Sequence, residues 1–247
     1  RDSAQFLLFP VSLSEPPPLE SSTNTSSAKP SKNREVEMLI EKHQAEFKRL
    51  VPVSVQAIVR VVTLHEAWWE QHRPPAPVSS SSGSTSTSST SPVSFSNDVK
   101  FQMFETVRPP NVPFEKYVQR VTAATLVSPS TLLISLMLLD RLLLLHSRLT
   151  FHTCNVYKLF LVALRLASKV VDIRSASNVT YAEAGGVTAK HLNDLEAKLL
   201  TLFHFNVFVP VEDFQRYAAK LSPLWADGRT GLEDDEELQE GAAGLGL

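Results

Sequence analysis

At 247 residues with a formal net charge of −2, the chain shows no basic excess. Non-specific nucleic-acid binding draws on clustered Lys and Arg, so nucleic acid is set aside as a partner. The single cysteine, Cys154, rules out an intramolecular disulfide and a cysteine-rich zinc module, which fits a reducing compartment inside the cell, cytoplasm or nucleus.

Residues 1–33 are rich in Ser and Pro, including Pro16–Pro18, and hold too few large side chains to offset chain entropy, so they are expected to be disordered. Within them Phe6–Val11 is apolar but too short for a signal-peptide core and contains Pro10. The first residue is Arg1 rather than Met, as expected of a piece of a longer protein. Residues 34–73 read as two amphipathic helices. Val36, Leu39, Ile40, His43, Phe47 and Leu50 share one face, Pro52 is expected to break the run, and Ser54 to cap a second helix along Val55, Ile58, Val59, Val62 and Trp69. Residues 74–98 form a Ser/Thr-rich flexible linker: twelve of the thirteen residues Ser79–Ser91 are Ser or Thr, so no core can form there. The plain reading is a solvated spacer. The sharper one is a phosphorylation segment, with Ser91-Pro92 as a minimal proline-directed site.

A compact helical region spans 99–222. Phe114, Tyr117, Val118 and Val121 form the buried stripe of its first helix, with Pro113 in the first turn and Arg120 beside the stripe. Ser128-Pro129 starts a second helix, Ser130–His146, apolar nearly all round. No stretch reaches the roughly 18–20 uncharged apolar residues of a membrane span, and this helix carries Asp140 and Arg141 in its middle; it reads as the inside of a bundle. A third helix opens at His152 or Thr153. Leu159, Val162, Ala163, Leu166 and Val170 make its buried face, and Arg165, Lys169 and Asp172 line a neighbouring strip. A short helix around Tyr181–Ala184 ends at Gly185-Gly186, and Thr188 caps the next, whose stripe is Leu192, Leu195, Leu199 and Leu202 with Glu196 at its edge. A last helix covers Glu212–Leu221, and residues 223–247 are an acidic, Gly-rich tail expected to be disordered. Strand patterns are almost absent, and the fold class is all-α.

No catalytic arrangement is present in the sequence. His65-Glu66 begins like a zinc-protease motif, but Trp69 stands where the second histidine belongs. Gly185-Gly186 lacks the surroundings of a phosphate loop, and Cys154 has no basic activator beyond His152. The expectation is no enzyme, no metal, no small-molecule cofactor and no membrane. Lys169 and Glu196 remain, each on a helix surface that would have favoured an apolar residue. From spacing alone the favoured reading is the plain one, a snorkelling lysine and a solvated helix charge, and the sharper one is a pair presented to a partner.

Four phrases carry a resemblance: RPPNVPFEKYVQRV (108–121), LLISLMLLDRLL (132–143), NVYKLFLVALRLASKVVD (155–172) and YAEAGGVTAKHLNDLEAKLLTLFHFNVFV (181–209). In their order and spacing the chain resembles the cyclin family, and within it the short single-box cyclins of the yeast phosphate-signalling type and the plant P/U-type. The resemblance implies a five-helix cyclin box over 99–222 with additional N-terminal helices packing on it. It also implies a regulatory subunit that binds and activates a cyclin-dependent protein kinase by positioning the kinase's movable helix, in phosphate response, cell cycle or differentiation. Lys169, Glu196, Asp172 and Arg165 are implied to face the kinase, and Arg120 and Asp140 to form a buried structural pair. Ile173 departs from the family, which often has a second acidic residue there. Competing readings are a cyclin-fold adaptor for transcription machinery or nucleic acid, and a scaffold that binds a kinase without activating it.

Overall fold

A computed structural model describes residues 32–72 and 99–226. The Ser/Pro-rich start, the linker with Ser91 and nearly all of the acidic tail lie outside them. Among the described residues every regular element is helical: α1 (Lys32–His72), α2 (Phe114–Thr125), α3 (Pro129–Leu145), α4 (Val156–Val171), α5 (Asn178–Gly185), α6 (Ala189–Leu202) and α7 (Val211–Ala226), with a 3-10 turn at Gln102–Phe104.

The two helices expected upstream are one. α1 runs unbroken through Pro52. Proline lacks the N–H that would bond residue 48 and its ring crowds that carbonyl, so the helix should fail there on local grounds. Packing overrides the local cost. Pro52 is exposed while Leu50, Val51, Val53, Val55, Ala57 and Ile58 are buried, in a helix that packs on α2, α3 and α7. Ser54 does not cap a new helix; its hydroxyl donates back to the Leu50 carbonyl at 2.7 Å. By length and mean hydropathy the stretch Gln44–Gln71 could also cross a membrane, although Arg60 and Glu66 within it leave no uncharged run of that length; half of its apolar window is buried against the bundle, as in a helix that faces a protein core.

Caps set the remaining boundaries. Ser128 accepts from the Thr131 N–H at 3.1 Å with Pro129 in the first turn, and Thr188 accepts from the His191 N–H at 3.1 Å. Gly186 ends α5 at φ 70°, and Gly185 lies so close to α4 that an added Cβ would sit 2.2 Å from a Leu161 methyl. α4 starts three or four residues later than expected, at Val156, because Asn155 turns its side chain backwards: it accepts from the His152 N–H at 3.0 Å and donates to the Thr150 carbonyl at 2.9 Å. α7 continues to Ala226, four residues past the expected end of the domain.

α4 is the central rod. Leu159 through Leu164 are all at most 1% exposed, and the helix packs on α2, α3, α5 and α6. Each such leucine stabilises the fold by about 1.5–3 kcal/mol. The helix emerges at its C-terminal turn, where buried Ser168 is followed by exposed Lys169 and Val170.

Candidate functional site

That last turn carries Lys169, whose side chain is 40% exposed, and its ammonium pairs with the Glu196 carboxylate from α6, only 8% exposed. Two features favour this placement. A cation in the last turn of a helix opposes the negative end of the helix dipole. A carboxylate in the wall of an apolar bundle persists only if paired and hydrogen-bonded, and Glu196 is both: its second oxygen accepts from the Asn178 amide at 3.1 Å.

Asn178 is the first residue of α5 and joins three helices. Its amide nitrogen also donates to Asn193 on α6 at 2.5 Å, and its carbonyl oxygen accepts from Arg165 Nε on α4 at 2.5 Å. Arg165 lies over the Tyr181 ring at 4.8 Å and donates to the Ser175 hydroxyl, which is 2.8 Å from that of Ser168. Burial, ahead of the neighbouring Ser168 and Thr125 hydroxyls and the Arg165 charge, pushes the Tyr181 phenol above its ordinary range, so it stays neutral.

Asp172 caps α4, its N–H bonded to the Ser168 carbonyl, and one carboxylate oxygen accepts from the Thr131 hydroxyl of α3 at 2.7 Å. A carboxylate is unfavourable at the end of α4 but favourable at the start of α3, where Thr131 sits. Around these charges Val170, Ile173 and Val179 are apolar and exposed.

Of the four residues assigned to a partner surface, the structure thus brings Lys169 and Glu196 together. Asp172 is half-buried and tied to α3. Arg165 is a correction: it is 6% exposed and lies beneath the surface, held by Asn178, Ser175 and Tyr181, because α5 crosses over that turn of α4. Arg120 and Asp140 are the second correction, for they do not form a buried pair. Arg120 is exposed on α2 with its guanidinium 5.4 Å from the centre of the Tyr117 ring. Asp140 is 7% exposed and accepts from the Tyr217 hydroxyl of α7 at 2.9 Å. The cyclin resemblance made the two partners; Arg120 lies on the exposed face of α2.

Asn178, Ser175 and Asn193 were missed by the sequence reading. The only local signal was a Ser-Asn step, Ser177-Asn178, before a short helix. His65 and Glu66, read there only as a failed zinc motif, take up backbone donors: His65 Nδ1 accepts from the Phe151 N–H and Glu66 from the Thr153 N–H, both at 2.9 Å. Among the described residues no group of His, Cys, Asp and Glu is arranged to hold a metal ion.

The described residues form an all-helical bundle with an ion pair on its wall. Sequence comparison gives the family. The cyclin profile matches residues 55–207, which takes in the last part of α1 and the expected box as far as residue 207, short of α7. Cyclin-U1-1 of Arabidopsis thaliana is 30% identical over 141 residues, covering 56% of this chain and 67% of the relative. Cyclin-U3-1 of the same plant is 32% identical over 127 residues, 51% of this chain and 57% of the relative. PHO85 cyclin-7 of Saccharomyces cerevisiae is 34% identical over 73 residues, 30% of this chain and 26% of the relative. The chain belongs to the cyclin family, and as a cyclin it is a regulatory protein rather than an enzyme.

Proposed function

We propose that this chain binds a cyclin-dependent protein kinase through the wall carrying Lys169 and Glu196 and holds it in its active arrangement, with both partners in the cytoplasm or nucleus. The observation that carries this reading is the ion pair between α4 and α6, two-fifths open at Lys169 and bordered by exposed Val170, Ile173 and Val179. A cation set in an apolar rim suits an amphipathic helix bearing one acidic residue. Phosphoryl transfer by a protein kinase requires an internal Lys–Glu pair whose Glu rides on a movable helix. A protein that grips that helix only when it is turned inward raises the active population by its difference in affinity for the two states. The yeast relative's name, which pairs a cyclin with PHO85, supports a kinase as the partner class.

The test titrates the full chain against a panel of purified cyclin-dependent kinases, reading both affinity and phosphorylation of a Ser-Pro peptide. Lys169→Glu combined with Glu196→Lys keeps an internal pair but inverts the charge on the wall. It is expected to weaken binding by about 100-fold, the scale of truncating a buried charged contact, with helical circular dichroism as the check that the variant is folded. Undiminished affinity sinks the assignment; binding without stimulation of the kinase converts the reading to a scaffold.

A further inference from the structure

Glu196 and Arg165 are both buried, carry opposite charge, and are bridged by Asn178. Arginine has only donors and a carboxylate only acceptors. A carboxamide is the neutral side chain that can serve both at once, giving its oxygen to the cation and its N–H to the anion. The geometry fixes which end faces which: oxygen to Arg165 Nε at 2.5 Å, nitrogen to Glu196 at 3.1 Å and to Asn193 at 2.5 Å. Arg165 is itself held from behind by the Tyr181 ring and by Ser175, so the amide has one orientation available.

This bridge has a consequence for the wall. Lys169 reaches one Glu196 oxygen with a long, half-exposed side chain, a contact that on its own would be loose. The second oxygen is gripped by a short side chain at the first residue of a helix whose start is capped by Ser177. The carboxylate is therefore aimed from the α5 side, and the lysine follows it.

We propose that Asn178, backed by Arg165, is the positioning residue of the partner-binding pair: it sets the Glu196 rotamer that in turn fixes the Lys169 ammonium. The proposal rests on the kinase-docking reading for its effect on affinity, whereas the aiming of Glu196 stands without it.

The test uses Asn178→Asp, which keeps shape and the Arg165 contact but points an oxygen at Glu196. Against a kinase of the panel that binds the unmutated full chain, affinity falls about tenfold, as expected when a hydrogen bond to a charged group is lost. In a Glu196→Gln background the donor and acceptor are exchanged, since the carboxamide introduced on α6 can donate to the carboxylate introduced on α5; there the same substitution changes affinity by no more than about twofold. A purely structural role moves both backgrounds alike, and equal losses overturn the proposal, as does unchanged affinity in the unmutated background. A second measurement needs no kinase: the side-chain ¹⁵N signal of the Lys169 ammonium in the free chain, sharp when the ion pair protects it, broadens in Asn178→Asp. A signal that stays sharp overturns the aiming role; a broadened signal with no kinase of the panel bound by any variant retains it and rejects the docking reading. Should both Asn178→Asp and Asn178→Ala fail to fold, the residue is structural and the proposal is overturned.

Discussion

The polar groups gathered around Glu196 are part-buried and those gathered around His152 mostly buried, and the two differ in where their charge ends. Around Glu196, formal charges alternate from Arg165 through the Asn178 amide to the carboxylate and out to a lysine at the surface. Around His152 the groups turn inward onto backbone: His65 and Glu66 take the N–H groups of Phe151 and Thr153, Thr106 donates to the Cys154 carbonyl at 2.8 Å, and Asn155 closes the turn before α4. The first cluster carries its charge out to the surface at Lys169. The second lets α1 clamp the α3–α4 connection, which otherwise would bury unmet backbone donors. Substitutions in the first should therefore move binding, and in the second stability.

The largest stability effect is expected at His65. It is 1% exposed, its Nδ1 holds the Phe151 N–H, and its ring packs edge-on to Phe151 at 6.1 Å. His65→Ala leaves a buried donor without that partner and a cavity beside it, and should cost about 3 kcal/mol in denaturant unfolding. A loss below about 1 kcal/mol would mean that α1 does not clamp the connection.

Acid should strike the same cluster next. Burial lowers the His152 pKa from 6.5 to about 4. The imidazole is neutral in the folded chain at pH 7, while the unfolded chain takes up a proton as pH falls below 6.5. Stability contributed by His152 is complete above pH 6.5 and is lost as pH falls from there through 4, by at most about 3 kcal/mol. His152→Phe should flatten this limb of the stability profile. An unchanged acid limb in that variant would place the sensitivity elsewhere.

A smaller effect belongs to the link between α3 and α7. Tyr217 donates to Asp140, and burial first, then the Asp140 charge, hold its phenol well above the ordinary range, so it remains a donor throughout the accessible pH range. Tyr217→Phe removes one charge-assisted bond and should cost about 1.5–3 kcal/mol. Measured melting at neutral pH decides it: a variant as stable as its parent would show that α7 is held by apolar contact alone.

How much of this was readable beforehand follows from the range of each signal. Ser128-Pro129, Thr188 and Gly185-Gly186 act on their own turn of backbone, and the helices they bound fell within a few residues of their places. Pro52 misled because its local cost is outweighed by side chains meeting α2, α3 and α7, which no window around residue 52 contains. Lys169 and Glu196 could be picked out as misfits on apolar surfaces, and the cyclin resemblance joined them. Arg165 shares Lys169's strip by periodicity, but its depth depends on α5 lying across it. Asn178 had almost no signal, since an amide that bridges two buried charges is defined by where those charges lie.

The smallest expected effect is the most discriminating for the family argument. The cyclin resemblance made Arg120 half of a buried pair, whose loss would cost about 3–5 kcal/mol by stranding a charge. In the structure its side chain is exposed, and its contact is the Tyr117 ring. An exposed cation over an aromatic ring contributes about 0.5–1 kcal/mol. Arg120→Ala should therefore lower stability by no more than about 1 kcal/mol, with Tyr117 still bonded through its hydroxyl to the Tyr157 carbonyl at 3.2 Å. Unfolding of the single variant alongside Tyr217→Phe and their combination sharpens the comparison. Additive losses are expected because the two residues share no contact. A strong coupling between positions 120 and 217 would put Arg120 back in the interior with Asp140, and with it the rotation of α2 that now exposes it.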